Sequence, residues 1–568
     1  MSQSLPTSPP SQPPAHPDST GLTVPAATPG DWFTRTRELA LTLTGWPSVT
    51  GTPGEQQFPL QLRNLLRSWP AFQSEPERVW TAPAGTSANL YALVRGQQPD
   101  TVILSGHFDT VGTDAYGPHA PHAFTPHALR DALLRHLDRP DLSGPERQAR
   151  QDLLSGEFLP GRGLLDMKAG LAAGLAVLER YAALAPADRP VNLLLIASPD
   201  EEQRSRGARQ AAADLPALTR QRGLRVRLGI NLDATNDAGD GRDGQAVYLG
   251  TTGKVPVTAL ILGRATHASY PFDGTSAALI AAELVSRIET NPDLTDTAHA
   301  EHSPPPACLE LRDGCAGYDV TTPAHVWCAF NVLTYRRSAA EVTAQILHEA
   351  RGATRTALTR QAQHAARWDG TSRAAPEAAV LCFAELRTQA ERQVGEARVQ
   401  ALLSAPDRTD DPLAESRERT LALAQAAGLS GPAVIVGLGA VHYPATHVDA
   451  DLGRKVTDTL KTFTEQTGVP VRVRHHFQGI SDMSFLGHRP SEADRAATRD
   501  LTPTPGDQPD RADTLSFPTV NAGPWGRDYH QQFERIYQPY SFGTLPELVW
   551  RLALMPALVT PQGPGRPD

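Results

Sequence analysis

The chain reads as an α/β protein built on a mostly parallel mixed sheet flanked by helices, with a smaller α+β unit inserted into it. Short apolar β-like runs alternate with runs in which Ala and Leu recur at helical spacing, the pattern of a parallel sheet covered by helices. At 568 residues the chain is too long for one ordinary core, so two units are expected. From about Thr252 the order changes to strand, helix, strand, helix, which suits a separate α+β unit.

Taken in order, the first 30 residues carry eight prolines among Ser, Thr and Ala, with no basic stretch leading into an apolar one. That composition predicts a disordered tail rather than a secretion signal. Strands are predicted at 101–105, 191–197, 228–232 and 433–436, and helices at 169–184, 207–215 and 375–403. The inserted unit is predicted as strand 255–262, helix 276–289, strand 325–334 and helix 339–361. The division that follows is a tail at 1–30, a larger α/β unit at 31–251 and 372–568, and an inserted α+β unit at 252–371. The Pro- and Asp-rich stretch 502–513 reads as an exposed loop.

Composition excludes several classes. A formal net charge of −9, from 53 basic and 62 acidic residues, leaves no electrostatic footprint for nucleic acid. No run approaches the roughly 18 apolar residues of a membrane span. The sparse cysteines at 308, 315, 328 and 382 lack CxxC spacing, which fits a reducing, cytoplasmic setting and argues against a thiolate zinc site. Any metal must then be held by His and carboxylates.

Hard ligands recur at strand ends. Glu201 and Glu202 follow the apolar run 191–198, where open α/β sheets place their sites. One glutamate can hold a metal while its neighbour handles the proton of a metal-bound water. Acidic residues also favour a helix start, where they complement its dipole. The strand at 101–105 runs into Gly106-His107-Phe108-Asp109, and alternation puts His107 and Asp109 on one side, as a ligand and its support or as a polar turn. Asp166, in Gly161-Arg162-Gly163-Leu164-Leu165-Asp166-Met167-Lys168, precedes a helix and reads as a ligand or as its cap. Asp233 closes the strand after the glutamates, and His530 stands far along the chain in Asp528-Tyr529-His530. Two His and several Asp/Glu suit zinc, or alternatively cobalt or manganese, and a shared carboxylate allows two ions about 3.5–4 Å apart. The chemistry implied is hydrolysis by a metal-bridged hydroxide.

This ordered set resembles the dinuclear-zinc amidohydrolase and peptidase family of carboxypeptidase G, aminoacylase and succinyl-diaminopimelate desuccinylase. The shared pattern is a His-x-Asp, a Gly-Arg-Gly-x-x-Asp-Met-Lys segment, a Glu-Glu pair, a later Asp and a distant His, and it runs from about residue 30 to the end. Within that family, the long segment 114–161 and the ending Tyr537-x-x-Tyr540-Ser541-Phe542 are most similar to bacterial arginine-utilisation proteins. The resemblance implies two zinc ions, with His107 on one, His530 on the other and Asp166 bridging them. Glu202 would complete the shell of the first metal's partner, and Asp233 the other. The unit at 31–251 and 372–568 would be catalytic and the one at 252–371 a lid or dimerisation domain. Glu201 would be the general base, Asp109 would orient His107, and His267 in the inserted unit would stabilise the oxyanion, reaching across a homodimer in some relatives. The substrate implied is a small peptide or N-acyl amino acid, with amino-acid catabolism as the setting.

Departures from the family pattern lie in the inserted unit. Ser276 stands where relatives carry an asparagine, and Arg336 and Arg337 compete for the role of an arginine that grips a substrate carboxylate. Asp482 reads as a residue near the site or as a helix cap, and His119, His122 and His127 as loop residues. Two alternatives stay open: a cocatalytic zinc aminopeptidase lacking the inserted unit, and a noncatalytic binding or regulatory protein that kept the fold. The roughly 120-residue insertion counts against the first.

Overall fold

The computed structural model describes residues 29–555 apart from 237–243, 316, 318–319, 371, 373, 406–408, 410 and 505–512. Residues 1–28 of the predicted N-terminal tail and most of the 502–513 loop lie outside the described residues, and the last two tail positions begin the helix Pro29–Thr44.

An eight-stranded sheet forms the larger layer. Its strands run in the order Val79–Ala84, Ser87–Val94, Asn192–Ser198, Asp100–His107, Arg225–Asn231, Thr519–Asn521, Ala246–Tyr248 and Arg472–Arg474. The middle of the sheet is parallel: Asp100–His107 pairs with Asn192–Ser198 on one side and Arg225–Asn231 on the other. Both Asp100–His107 and Asn192–Ser198 are buried along their whole length, which explains the unbroken apolar runs 102–104 and 193–197 inside them. The helix Ala169–Ala183 covers one face and is buried almost all round, so it carries Ala, Gly and Leu with hardly a polar position until its last turn. The helix Arg206–Arg222 packs on the opposite face. The expected α/β architecture is therefore present.

A second, five-stranded sheet has the order Ala307–Asp313, His325–Thr334, Gly253–Leu262, Ala433–Leu438 and Ala379–Cys382. Ala277–Ile288 and Ala339–Asp369 pack on one of its faces, and Phe383–Val394 with Pro412–Ala426 on the other. Three expectations change here. The strand predicted at 433–436 pairs antiparallel with Gly253–Leu262 and so belongs to this sheet, which draws on residues well past 371. The helix predicted over 375–403 begins as a strand, Ala379–Cys382, and then breaks into two helices at Gly395, whose φ of +83° lies in the region that favours glycine. Ala307–Asp313 was not anticipated, because it is an edge strand with a bulge between Cys308 and Glu310 that scrambles its alternation. His127, expected in a loop, sits in the first turn of the helix Pro126–His136.

Two strands of connection lie side by side between the sheets. Thr446–His447 pairs antiparallel with Gly250–Thr251 as the chain leaves one sheet and returns from the other. Among the described residues, no helix is long and apolar enough to cross a membrane.

Candidate metal centre

The site lies beyond the carboxyl ends of three neighbouring parallel strands, at the place the sheet topology favours for ligands. His107 is the last residue of the central strand, Glu201 and Glu202 follow the strand on one side, and Asp233 follows the strand on the other. Asp166 lies in the irregular turn Leu164–Lys168, with φ −110° and ψ 100°, and caps no helix. Its carboxylate faces both histidines instead. Oδ1 is 3.2 Å from His107 Nε2 and Oδ2 is 3.1 Å from His530 Nε2.

Two triads share that carboxylate. His107, Asp166 and Asp233 bring one ligand atom each within 4.8 Å of one another, and so do Asp166, Glu202 and His530. The donors are imidazole and carboxylate only, a set that suits zinc, cobalt or manganese. Glu201 belongs to neither triad, yet it lines the same cavity and brings Oε2 to 3.8 Å from His107 Nε2. The residues present thus fit a pair of divalent ions with one carboxylate left over.

The supports are built from several segments. His107 Nδ1 donates to the Asp109 backbone carbonyl at 3.0 Å, which turns Nε2 toward the cavity. The Asp109 carboxylate accepts the backbone N–H groups of Glu201 and Glu202 and the Thr50 hydroxyl. Asn521 accepts the Asp233 N–H at 3.1 Å and donates to its carbonyl at 2.9 Å. Glycine makes room around that backbone. A Cβ on Gly523 would stand 1.7 Å from the Asp233 carbonyl oxygen, and one on Gly170 would stand 1.9 Å from that of Leu232.

His530 sits on a loop held from below. Glu534 is buried, accepts the N–H of His530 at 3.2 Å and that of Gly163 at 3.2 Å, and pairs with the buried Arg162. The long segment 114–161 buttresses the same loop: Asp152 accepts from Arg535 and Arg527, and Phe158–Pro160 pairs with Arg535–Tyr537. Left-handed backbone recurs around the ligands, at Asp200 with φ +66°, Asp528 with φ +55° and His530 with φ +64°. Such positions cost of order 1–3 kcal/mol each and persist where surrounding bonds fix them.

The electrostatics match a site for cations. Burial alone would lower His107 and His530, but the hydrogen bonds their rings donate to the carboxylates hold His107 well above its ordinary value and His530 at about 10. Burial also raises Glu201, Glu202 and Asp233; the charges of Asp233 and Glu202 add to it at Glu201, and the charge of Asp166 adds to it at Glu202 and Asp233. Asp166 is lowered despite its burial, because both histidines bond it.

The cavity has a volume of about 250 Å³, and besides the ligand candidates it presents Lys254, Tyr443 and Tyr529. Sequence reasoning missed these three, and it gave no role to Glu534 or Arg162. Asp482, left open between site and cap, lies buried beneath the cavity, where it accepts the Ser198 hydroxyl at 2.8 Å and burial pushes it up to about 6. The chain does not bring every candidate together. His267 is exposed on the second unit and does not line the cavity. Arg336 and Arg337 do not line it either; the Arg337 guanidinium is spent on Gln345 and the Leu294 carbonyl. Ser276 precedes the helix Ala277–Ile288 with no side-chain cap bond.

Fold and site together define a metal-dependent hydrolase acting on amide bonds. The chain belongs to peptidase family M20/M25/M40, whose sequence profile matches residues 150–496. It is 31% identical to the uncharacterized protein YqjN of Bacillus subtilis, over 91% of this chain and 96% of that one. It is 26% identical to protein RocB of the same organism, over 91% of this chain and 94% of that one. Among solved structures, the fold is similar to an M20 family metallo-carboxypeptidase of Sulfolobus solfataricus, with a TM-score of 0.51 at 11% identity over 92% of this chain and 99% of the other. The family binds a dinuclear metal centre.

Proposed function

We propose that this chain hydrolyses an amide or peptide bond of a small amino-acid-derived substrate, with His107, Asp166, Glu202, Asp233 and His530 as metal ligands and Glu201 as general base. One observation carries the reading: Glu201 is the cavity carboxylate left outside both ligand triads, so it is available for a proton. Two divalent ions, zinc in the first instance, would supply Lewis acidity to the scissile carbonyl and lower the pKa of the attacking water. Glu201 takes the proton of the attacking water and returns it to the leaving nitrogen. Burial and neighbouring carboxylates raise its proton affinity, which suits a group that must accept and release a proton in one turnover.

Asp109 positions the pair by holding both glutamate N–H groups while its carbonyl fixes His107. Lys254 places a cation in the cavity wall, where a substrate carboxylate would find a partner. A cavity of about 250 Å³ favours a dipeptide or an N-acyl amino acid over a longer peptide. His267 is assigned to the oxyanion of a partner subunit in a homodimer, a role supported by its exposure on the second unit. The setting is cytoplasmic amino-acid catabolism, arginine included, supported by the likeness of segment 114–161 to arginine-utilisation proteins and by four free cysteines.

A hydrolysis screen over dipeptides and N-acyl amino acids, with zinc, cobalt and manganese each supplied, tests this reading. Hydrolysis that Glu201→Gln abolishes is expected. A chain that binds two metal ions and cleaves nothing in the panel would favour the noncatalytic alternative.

A further inference from the structure

A second group of histidines gathers away from the cavity, where the two sheets are joined. His299 is at the tip of the hairpin formed by Thr297–Ala298 and Glu301–His302. His447 ends the returning strand Thr446–His447, and His475 and His476 follow the edge strand Arg472–Arg474. One ring nitrogen from each of His299, His447 and His475 lies within 4.8 Å of the others. The His299 ring centroid is 4.3 Å from that of His447 and 4.3 Å from that of His475. None of the three lines the cavity described above.

Three features distinguish this cluster from a chance meeting of surface rings. His475 Nδ1 is buried and has no hydrogen-bond partner, an arrangement that is unfavourable unless something binds it. The hairpin turn places His299 at φ +51° and Ala300 at φ +62°, a two-residue geometry ordinarily filled by Asn-Gly. A histidine is therefore held at the tip against local preference. His476 is occupied elsewhere and braces the group: its Nδ1 bonds Glu301 at 2.9 Å and its ring stacks on Tyr335 at 3.8 Å.

We propose that His299, His447 and His475 form a separate mononuclear site for a borderline divalent transition ion such as zinc. A set of imidazoles without a carboxylate suits zinc, copper or nickel and disfavours magnesium or calcium. Three protein ligands leave a fourth position for water. The exposed His299 ring, now stacked on its neighbours, turns to point its nitrogen at the ion. An ion there ties the hairpin of the second unit to the returning connection and to the edge of the large sheet, so it fixes the two units relative to one another.

The test is zinc content after equilibrium dialysis of the untagged full-length chain. Changing His299, His447 and His475 together to Ala should remove one zinc equivalent relative to the unaltered chain, and His299→Ala alone, at an exposed hairpin tip, should remove the same equivalent without disturbing folding. In an Asp166→Ala chain, which weakens the cavity site, one equivalent should remain and then disappear when His299→Ala is added. Equal zinc content with and without the histidine changes, in either background, would overturn the proposal while leaving the reading of the cavity intact.

Discussion

The carboxylate of Asp109 accepts the backbone N–H of Glu201 at 3.1 Å through one oxygen and that of Glu202 at 3.2 Å through the other. Its backbone carbonyl meanwhile receives His107 Nδ1. One buried residue thus sets both the imidazole and the paired carboxylates, from opposite ends of its own structure. Outer groups of this kind are worth about 10–100-fold in metal affinity or activity. Asp109→Ala is expected to lower metal affinity or turnover by that factor, read by metal titration and by initial rates.

The ligand triads predict unequal losses. Asp166 serves both groups, so Asp166→Ala should release both ions, whereas Glu202→Ala should release the ion shared with His530 first. Metal content against free zinc concentration distinguishes the two outcomes. Identical curves for both variants would contradict the shared role of Asp166.

Arg162 and Glu534 form a buried pair under the His530 loop. Removing one partner leaves an uncompensated buried charge, at about 3–5 kcal/mol. Arg162→Met should lower the denaturant midpoint accordingly and weaken the metal shared with His530. Changing both partners to apolar residues of similar volume should recover much of the stability and leave the His530 loop without its anchor.

Glu55 gives the chain a pH dependence of its own. Burial and the nearby Asp109 charge raise it from an ordinary 4.5 to about 7. The folded state binds the extra proton between those values, so this contribution is present in full below pH 4.5 and is lost as pH rises through 7. At 1.36 kcal/mol per unit it amounts to about 3 kcal/mol. Glu55→Gln should flatten the stability profile between pH 4.5 and 7, measured by urea unfolding.

Much of the site was legible because its residues follow apolar runs. His107 ends a buried strand, and Glu201, Glu202 and Asp233 sit just past the two strands beside it, so their placement came with the strand assignment. Asp166 and His530 needed the ordered family pattern, since neither position alone separates a ligand from a cap or a surface residue. The Arg162–Glu534 pair was out of reach, because it joins segments 372 residues apart and neither residue has a local signature. Lys254 and Tyr443 face the cavity only because the second sheet begins and ends beside it. The strand Ala433–Leu438 was found but put in the wrong sheet, because a buried apolar run carries no mark of its neighbours.

The division of the glutamate pair is the central claim, and Glu201→Gln tests it most directly. Metal content and hydrolysis should be measured on the same preparation. The account predicts the same metal content as the unaltered chain and a rate lower by about 10²–10⁴-fold. A variant that turns over normally, or one that loses its metal as Glu202→Ala does, would contradict it.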